Sequence, residues 1–120
     1  MGRRSVEQGT LPYIPNQMDI MYVDLTGAVG KEIHKRRPVL VLSQTSFNSA
    51  TGFCVVCPIS HRSREYPSVL PIQDKSKIIQ GAVLTHQIKS VDYQAREARY
   101  VEKVDPLTWI QVVDITKDIF

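Results

Sequence analysis

Residues 30–43, GKEIHKRRPVLVLS, form the most informative stretch of this 120-residue chain. A glycine opens a charged segment that runs through Arg37 and Pro38 into the apolar residues Val39–Leu42. Such a short β-branched run, followed by Ser43, is typical of a buried β-strand. Because proline has no N–H to donate, Pro38 is expected to open this strand or to lie on a sheet edge. This predicts that Arg37 is held at the junction of loop and strand.

Similar apolar segments recur along the chain, and glycine or proline lies at or beside the junctions between them. The predicted strands are Ile20–Leu25, Val39–Leu42, Phe53–Ile59, Val69–Ile72 and Ala82–Ile88, with a sixth candidate at Arg99–Lys103. Five or six short strands on a chain of this size predict a mainly β fold, as a small barrel or a sandwich.

Two helices are expected beside the strands. Asp105 and Pro106 have the residue types of an N-cap and a first helical position, and apolar residues follow at helical spacing. This predicts a C-terminal helix near 106–118, with Trp109 as a core or interface anchor. A shorter helix is expected near 44–49, before Gly52 restarts the sheet.

The composition, 42% hydrophobic and 22% charged, is that of an ordinary globular protein. We expect a flexible arm at 1–12, followed by a single domain at 13–120. The arm is polar with no apolar stretch behind it, unlike a secretory signal. No apolar run approaches the roughly 20 residues that span a bilayer. We therefore expect a cytoplasmic protein.

The net charge is +3, and the excess of positive charge lies in two short clusters, Lys31–Arg37 and His61–Arg64. Closely spaced lysine and arginine attract phosphate backbones or acidic partners. Two solvated loops would produce the same pattern, so the charge distribution alone does not select a partner.

Cys54 and Cys57 have the CxxC spacing of redox and zinc motifs. They lie within a predicted strand, where an odd separation sends the two side chains to opposite faces. No second Cys or Cys/His pair completes a metal site in the sequence. We therefore expect two ordinary buried thiols, no metal and no cofactor.

Several other side chains could carry chemistry. Two of the histidines, His34, His61 and His86, could cleave RNA without a metal, although each could equally make only local hydrogen bonds. Arg37 could grip a phosphate with two hydrogen bonds and stabilise its developing charge. Glu32 could act as a general base, but a structural salt bridge with Arg37 would explain these two residues almost as well.

The stretch beginning at Gly30 resembles the MazF/PemK/Kid family of toxin endoribonucleases. The family pattern is Gly-x-Glu, four residues and Arg-Pro before an apolar strand, and Gly30, Glu32, Arg37 and Pro38 match it at full spacing. The likeness covers roughly residues 13–119. It continues through Phe47-Asn48, Thr51-Gly52, Pro58-Ile59-Ser60, Tyr66-Pro67, Gly81–Leu84, Gln87–Asp92 and Ala95-Arg96.

This resemblance implies an SH3-like barrel of the MazF/CcdB type, with a C-terminal helix, forming a homodimer whose interface groove holds single-stranded RNA. It implies metal-independent cleavage of mRNA at short sequence motifs by 2′-hydroxyl attack, which leaves 2′,3′-cyclic phosphate and 5′-hydroxyl ends and inhibits translation and growth. It also implies neutralisation by a cognate antitoxin of the MazE/PemI type.

Carried over by position, Arg37 takes the place of the catalytic arginine, and Ser60 stands where the family usually has a catalytic threonine. Glu32 matches a loop glutamate that assists in some members, whereas His86 stands where many relatives have an acidic residue. Imidazole can also accept a proton near neutral pH, so the base is Glu32 or His86. The expected RNA-binding residues are Lys31, His34, Lys35, Arg36, His61, Arg62, Arg64 and Gln87.

Two other functions are compatible with such a barrel. A gyrase-poisoning toxin of the CcdB type shares the fold, but that group depends on a Trp-Gly-Ile tail, whereas this chain ends Lys117-Asp-Ile-Phe120. A non-catalytic nucleic-acid-binding barrel would use Arg37, Arg62 and Arg64 only to contact phosphates. Such a protein would bind RNA without shortening it.

Overall fold

The computed structural model describes residues 12–25, 36–61 and 65–120. Most of the arm predicted at 1–12 therefore lies outside the described residues. The elements are β1 (Asp19–Asp24), β2 (Arg36–Val41), α1 (Thr45–Thr51), β3 (Phe53–Ser60), β4 (Val69–Pro71), β5 (Ala82–Leu84), β6 (Lys89–Asp92), β7 (Arg99–Lys103) and α2 (Pro106–Thr116), with a 3-10 turn at Thr85–Gln87.

The strands form an antiparallel sheet in the order β4-β5-β3-β2-β1-β7, with β6 also paired to β3. The long strand β3 pairs with β6 at Phe53–Val56 and with β5 at Ile59 and Ser60. The single strand β3 thus pairs with both β6 and β5 along the same side, and this curls the sheet. This arrangement confirms the predicted mainly β, barrel-like fold, although the described strands do not close into a complete ring.

Both faces of the central strands are buried. On β2, Leu40 belongs to one apolar cluster, together with Ile20 of β1 and Val112 of α2. Its neighbours Val39 and Val41 belong to a second cluster on the opposite face. Successive side chains of a strand point to opposite faces, so an uninterrupted apolar run such as VLVL fits a strand that is covered on both sides.

The two cysteines divide between these clusters, Cys54 in the second and Cys57 in the first, as their odd spacing predicts. Burial raises the pKa of each thiol to about 12. Because the thiolate is the nucleophile and metal ligand, thiols that stay protonated at neutral pH are poor candidates for redox or metal chemistry.

Strand β2 begins at Arg36, so Pro38 does not open the strand, and the second alternative, a position on a sheet edge, applies. Pro38 lies opposite Tyr22 of β1, whereas the pairs between β2 and β3 begin only at Val39. At Pro38 the strand therefore pairs with one neighbour only. That local edge tolerates a residue without an N–H, in agreement with the other half of the expectation.

The strand expected at Ala82–Ile88 is wrong, because the 3-10 turn at Thr85–Gln87 divides this region between β5 and β6. β5 pairs with the end of β3 and β6 with its beginning, so the chain has to step along β3 between them. Thr85 fixes the step, since its backbone N and its Oγ1 both donate to the carbonyl oxygen of Ser68, at 2.9 and 2.7 Å. The apolar pattern of the sequence gives no indication of this acceptor, the carbonyl oxygen of Ser68, which is 17 residues away in the chain.

The C-terminal helix starts as predicted. Asp105 is the N-cap, accepting hydrogen bonds from Thr108 N at 3.0 Å and from Thr108 Oγ1 at 2.8 Å, and Pro106 occupies the first turn. α1 ends one turn beyond Phe47, where Gly52 adopts a left-handed conformation with φ of 77°. Among the described residues, no helix is long and apolar enough to cross a bilayer.

Candidate functional site

Arg37 and Ser60 lie at the same end of the sheet. The pairs Val39–Pro58 and Val41–Val56 fix the register of β2 against β3. Arg37 precedes Val39 by two residues and Ser60 follows Pro58 by two, so both lie beyond the same end of this paired segment. Because side chains two residues apart on a strand share a face, both then lie on the face of Val39 and Pro58. The fold thus brings together two of the predicted catalytic residues.

The side chain of Arg37 is exposed, and within the described residues no hydrogen bond or ion pair engages its guanidinium group. Arginine keeps its charge at any physiological pH and presents a rigid fork of N–H donors. Two such donors match two oxygens of a phosphate. Arg37 is therefore a fixed cation available to an anionic ligand.

Gly81 determines the approach of β5 to Ser60. It adopts φ of +116°, and a Cβ added there would lie 2.7 Å from the backbone oxygen of Ser60. Any side chain at this position would push the end of β3 away from β5. The half-buried Ser60, whose hydroxyl can donate and accept hydrogen bonds, owes its position to this glycine.

Arg36, the neighbour of Arg37 in the chain, is held by protein groups. Its Nη2 donates to the carbonyl oxygens of Glu97 at 2.6 Å and of Tyr22 at 3.3 Å, and its Nη1 lies 3.8 Å from the Glu97 carboxylate. The turn that contains Arg96 and Glu97 also holds β1, since Asp24 N donates to Arg96 O at 2.9 Å. This turn therefore anchors both strands that flank residues 26–35, and its contacts occupy much of a guanidinium expected to bind RNA.

His86 lies on the 3-10 turn, away from Arg37 and Ser60. Ala82 pairs with Ser60 and Lys89 with Val56, so His86 lies roughly three residues, or about 10 Å, along β3 from Ser60. Its Nδ1 is 3.0 Å from Ser68 Oγ. No described contact links His86 to the arginine, and the two candidate centres are separate.

The remaining predicted site residues divide into two groups. His61 and Gln87 are exposed, the first directly after Ser60 and the second directly after His86. The others lie outside the described residues and stay predictions. These are Lys31, Glu32, His34, Lys35, Arg62 and Arg64.

The sequence interpretation missed the surroundings of His86. The rings of Tyr66 and His86 are 6.3 Å apart between centroids, with an angle of 80° between their planes. Tyr66 follows a basic cluster, and an aromatic residue beside basic ones is itself typical of nucleic-acid binding. Within the described ranges, no three side chains among His, Cys, Asp and Glu lie close enough together to hold a metal ion.

Known proteins resemble this chain in sequence and in fold. The family model of PemK-like, MazF-like toxins of type II toxin–antitoxin systems matches residues 16–120. The endoribonuclease toxin MazF of Escherichia coli strain K12 is 32% identical over 94 residues, which are 78% of this chain and 83% of that protein.

Two crystal structures from Deinococcus radiodurans share the fold. The structure of MazF superposes with a TM-score of 0.79 and 26% identity, covering 90% of this chain and 97% of the other. A MazE–MazF structure gives a TM-score of 0.82, also at 26% identity, and covers 90% and 96% of the two chains.

Proposed function

Because this chain belongs to the PemK-like, MazF-like toxin family of type II toxin–antitoxin systems, we propose that it is an endoribonuclease. Its substrate is single-stranded mRNA, cleaved at a short sequence motif, and the loss of message inhibits translation and growth. The observation that carries this proposal is the exposed guanidinium group of Arg37, which no described residue engages, at the same end of the β2–β3 pair as Ser60.

The proposed reaction is an internal displacement at phosphorus. The 2′-hydroxyl loses its proton to a base, O2′ bonds to phosphorus, and the bond from phosphorus to O5′ breaks. The departing O5′ gains a proton, so the products carry a 2′,3′-cyclic phosphate and a 5′-hydroxyl. Arg37 stabilises the charge that builds on the phosphoryl oxygens, and the Ser60 hydroxyl donates to one of them.

We assign the base role to Glu32, with His86 as the alternative. The match of Glu32 to the loop glutamate of the family pattern favours this choice. A pH–rate profile distinguishes the two residues. If Glu32 is the base, Glu32→Gln lowers the rate by about 10²–10⁴ and wild type has an acid limb near pH 4–5. If His86→Asn instead carries that loss and removes the acid limb, the assignment is overturned.

The helix α2 supports a dimer. Val112 is buried and Trp109 packs against the first apolar cluster, but Leu107, Ile110 and Val113 on the same helix are exposed. We propose that the toxin is a homodimer, that a cognate antitoxin of the MazE/PemI type neutralises it, and that it acts in the cytoplasm, where its mRNA substrate is translated. Light scattering at micromolar concentration should give twice the chain mass, and a monomer would contradict the dimer.

The decisive experiment is incubation of the protein with a long, defined RNA in excess EDTA, followed by mapping of the new 5′ ends. We expect cleavage at one short motif, with 5′-hydroxyl and cyclic phosphate ends. Activity that requires added magnesium or zinc would contradict the metal-independent mechanism. Binding without any shortening of the RNA would instead indicate the non-catalytic nucleic-acid-binding barrel.

A further inference from the structure

Tyr66 and His86 form an open corner on the surface. Tyr66 is 50% exposed, His86 is also exposed, and the two rings stand nearly perpendicular, 80° apart, with centroids separated by 6.3 Å. A flat ring placed in such a corner can stack on one aromatic face and meet the other along its edge. The bases of single-stranded RNA are commonly bound on aromatic and histidine rings in this way.

The backbone that carries the two rings is fixed. Val69 N donates to Tyr66 O at 2.9 Å, and the buried Thr85 donates twice to Ser68 O. Ser68 then reaches the imidazole itself, with 3.0 Å between its Oγ and His86 Nδ1. Because Ser68 orients the His86 ring before a ligand arrives, binding loses little of the side-chain entropy of His86.

Resting on the proposed endoribonuclease function, we propose that Tyr66 and His86 bind one unpaired nucleobase of the RNA, next to the scissile phosphate held at Arg37. The corner lies roughly 10 Å along β3 from Ser60, close enough for a nucleotide neighbouring that phosphate. Tyr66 supplies the stacking face, and Ser68 orients His86. His86 is then a recognition residue, which leaves proton removal to another group.

The test compares Tyr66→Leu with Tyr66→Phe and with Tyr100→Leu. Tyr100 is also 50% exposed but lies on β7, at the other end of the strand order from β4. Binding is measured by fluorescence anisotropy with a labelled oligonucleotide whose scissile ribose lacks the 2′-hydroxyl and cannot be cleaved. Loss of one base stack should weaken binding by about 5- to 150-fold in Tyr66→Leu. Tyr66→Phe and Tyr100→Leu should bind like wild type.

Cleavage provides the second readout. In Tyr66→Leu the KM should rise, with a relaxed base preference at one position beside the cut, while His86→Asn should weaken binding and leave the pH–rate profile unchanged. Unaltered binding in a folded Tyr66→Leu variant, or a wild type that binds no oligonucleotide, would overturn the inference. A wild type that binds with the Tyr66 dependence but never cleaves would instead refute the endoribonuclease function alone.

Discussion

Asn48, on the helix α1 that follows the C-terminal end of β2, is completely buried and its side chain bonds to other protein groups, whereas Arg37 near the N-terminal end of β2 is exposed and has no hydrogen bond or ion pair to the described residues. Asn48 Nδ2 donates to Pro15 O at 2.8 Å and to Ser43 O at 3.1 Å, and its Oδ1 accepts from Ser43 Oγ at 2.5 Å. Tyr93 completes the group by donating to the backbone oxygen of Asn48 at 2.8 Å.

This contrast separates a side chain that stabilises the fold, beyond one end of β2, from a side chain that is available for activity, near the other end. A buried polar group stabilises the fold only while its partners are present, and removing one partner leaves the others buried and unsatisfied. An exposed arginine without a protein partner adds little to folding, so its interactions are available to a ligand. Substitutions at the two ends should therefore change different measured quantities.

Among the substitutions that compare these two regions, Arg37→Ala should have the largest effect. Loss of one oriented donor to the transition state costs about 3–4 kcal/mol, so the cleavage rate should fall by about 10²–10³ while the melting temperature is unchanged. Single-turnover kinetics and relief of growth inhibition measure this loss. Arg99→Ala, at an exposed arginine of β7, is the matched control and should cleave normally. Near-normal cleavage by folded Arg37→Ala would remove this residue from the mechanism.

Asn48→Ala should show the opposite behaviour. It leaves the carbonyl oxygen of Pro15 and the hydroxyl of Ser43 without their asparagine partner, so the free energy of unfolding should fall by about 2–3 kcal/mol. Denaturant unfolding measures the fall, and the cleavage rate per folded molecule should be unchanged. Gln44→Ala is the control, because the Gln44 side chain makes no cap hydrogen bond to α1. Equal stability of the two variants would refute a structural role for the buried amide.

Gly81→Ala should break the separation between stability and activity, because Gly81 affects both the free energy of unfolding and the cleavage rate. The added methyl group would meet the backbone of Ser60, and the positive φ adds strain of about 1–3 kcal/mol. We expect reduced stability and also a cleavage rate lowered by up to about 10², through the displaced Ser60. Gly52→Ala also places an alanine at a positive φ, +77°, but nothing lies within 4 Å of the added carbon apart from its chain neighbours. Gly52→Ala should lose stability without losing activity. An equal loss of activity in Gly52→Ala would show that backbone strain, and not displacement of Ser60, is responsible.

Local chemistry made much of this fold predictable. The apolar run Val39–Leu42 and the Asp105 cap depend on neighbours in the chain, and both the strand and the helix start were found. Contacts between residues distant in the sequence were not predicted. The acceptor that bends the chain at Thr85 is Ser68, and the partner of Arg36 is Glu97. For the site, the motif predicted Arg37 and Ser60, but the corner at His86 depends on a ring brought from another turn.

The smallest effect is expected at Arg36, and it tests whether adjacent arginines have different roles. With its guanidinium bound to the carbonyl of Glu97, Arg36 should anchor β2 and contribute little to RNA affinity. Arg36→Ala should therefore change KM less than about threefold and leave the salt dependence of RNA binding unaltered. A phosphate contact would instead lower the slope of log K against log salt by about 0.7. Arg36→Lys separates the two roles further, because it keeps the charge but loses the planar fork that spans two carbonyls. If Arg36 is an anchor, Arg36→Lys should lose as much stability as Arg36→Ala. If Arg36 binds phosphate, Arg36→Lys should show the wild-type slope of log K against log salt.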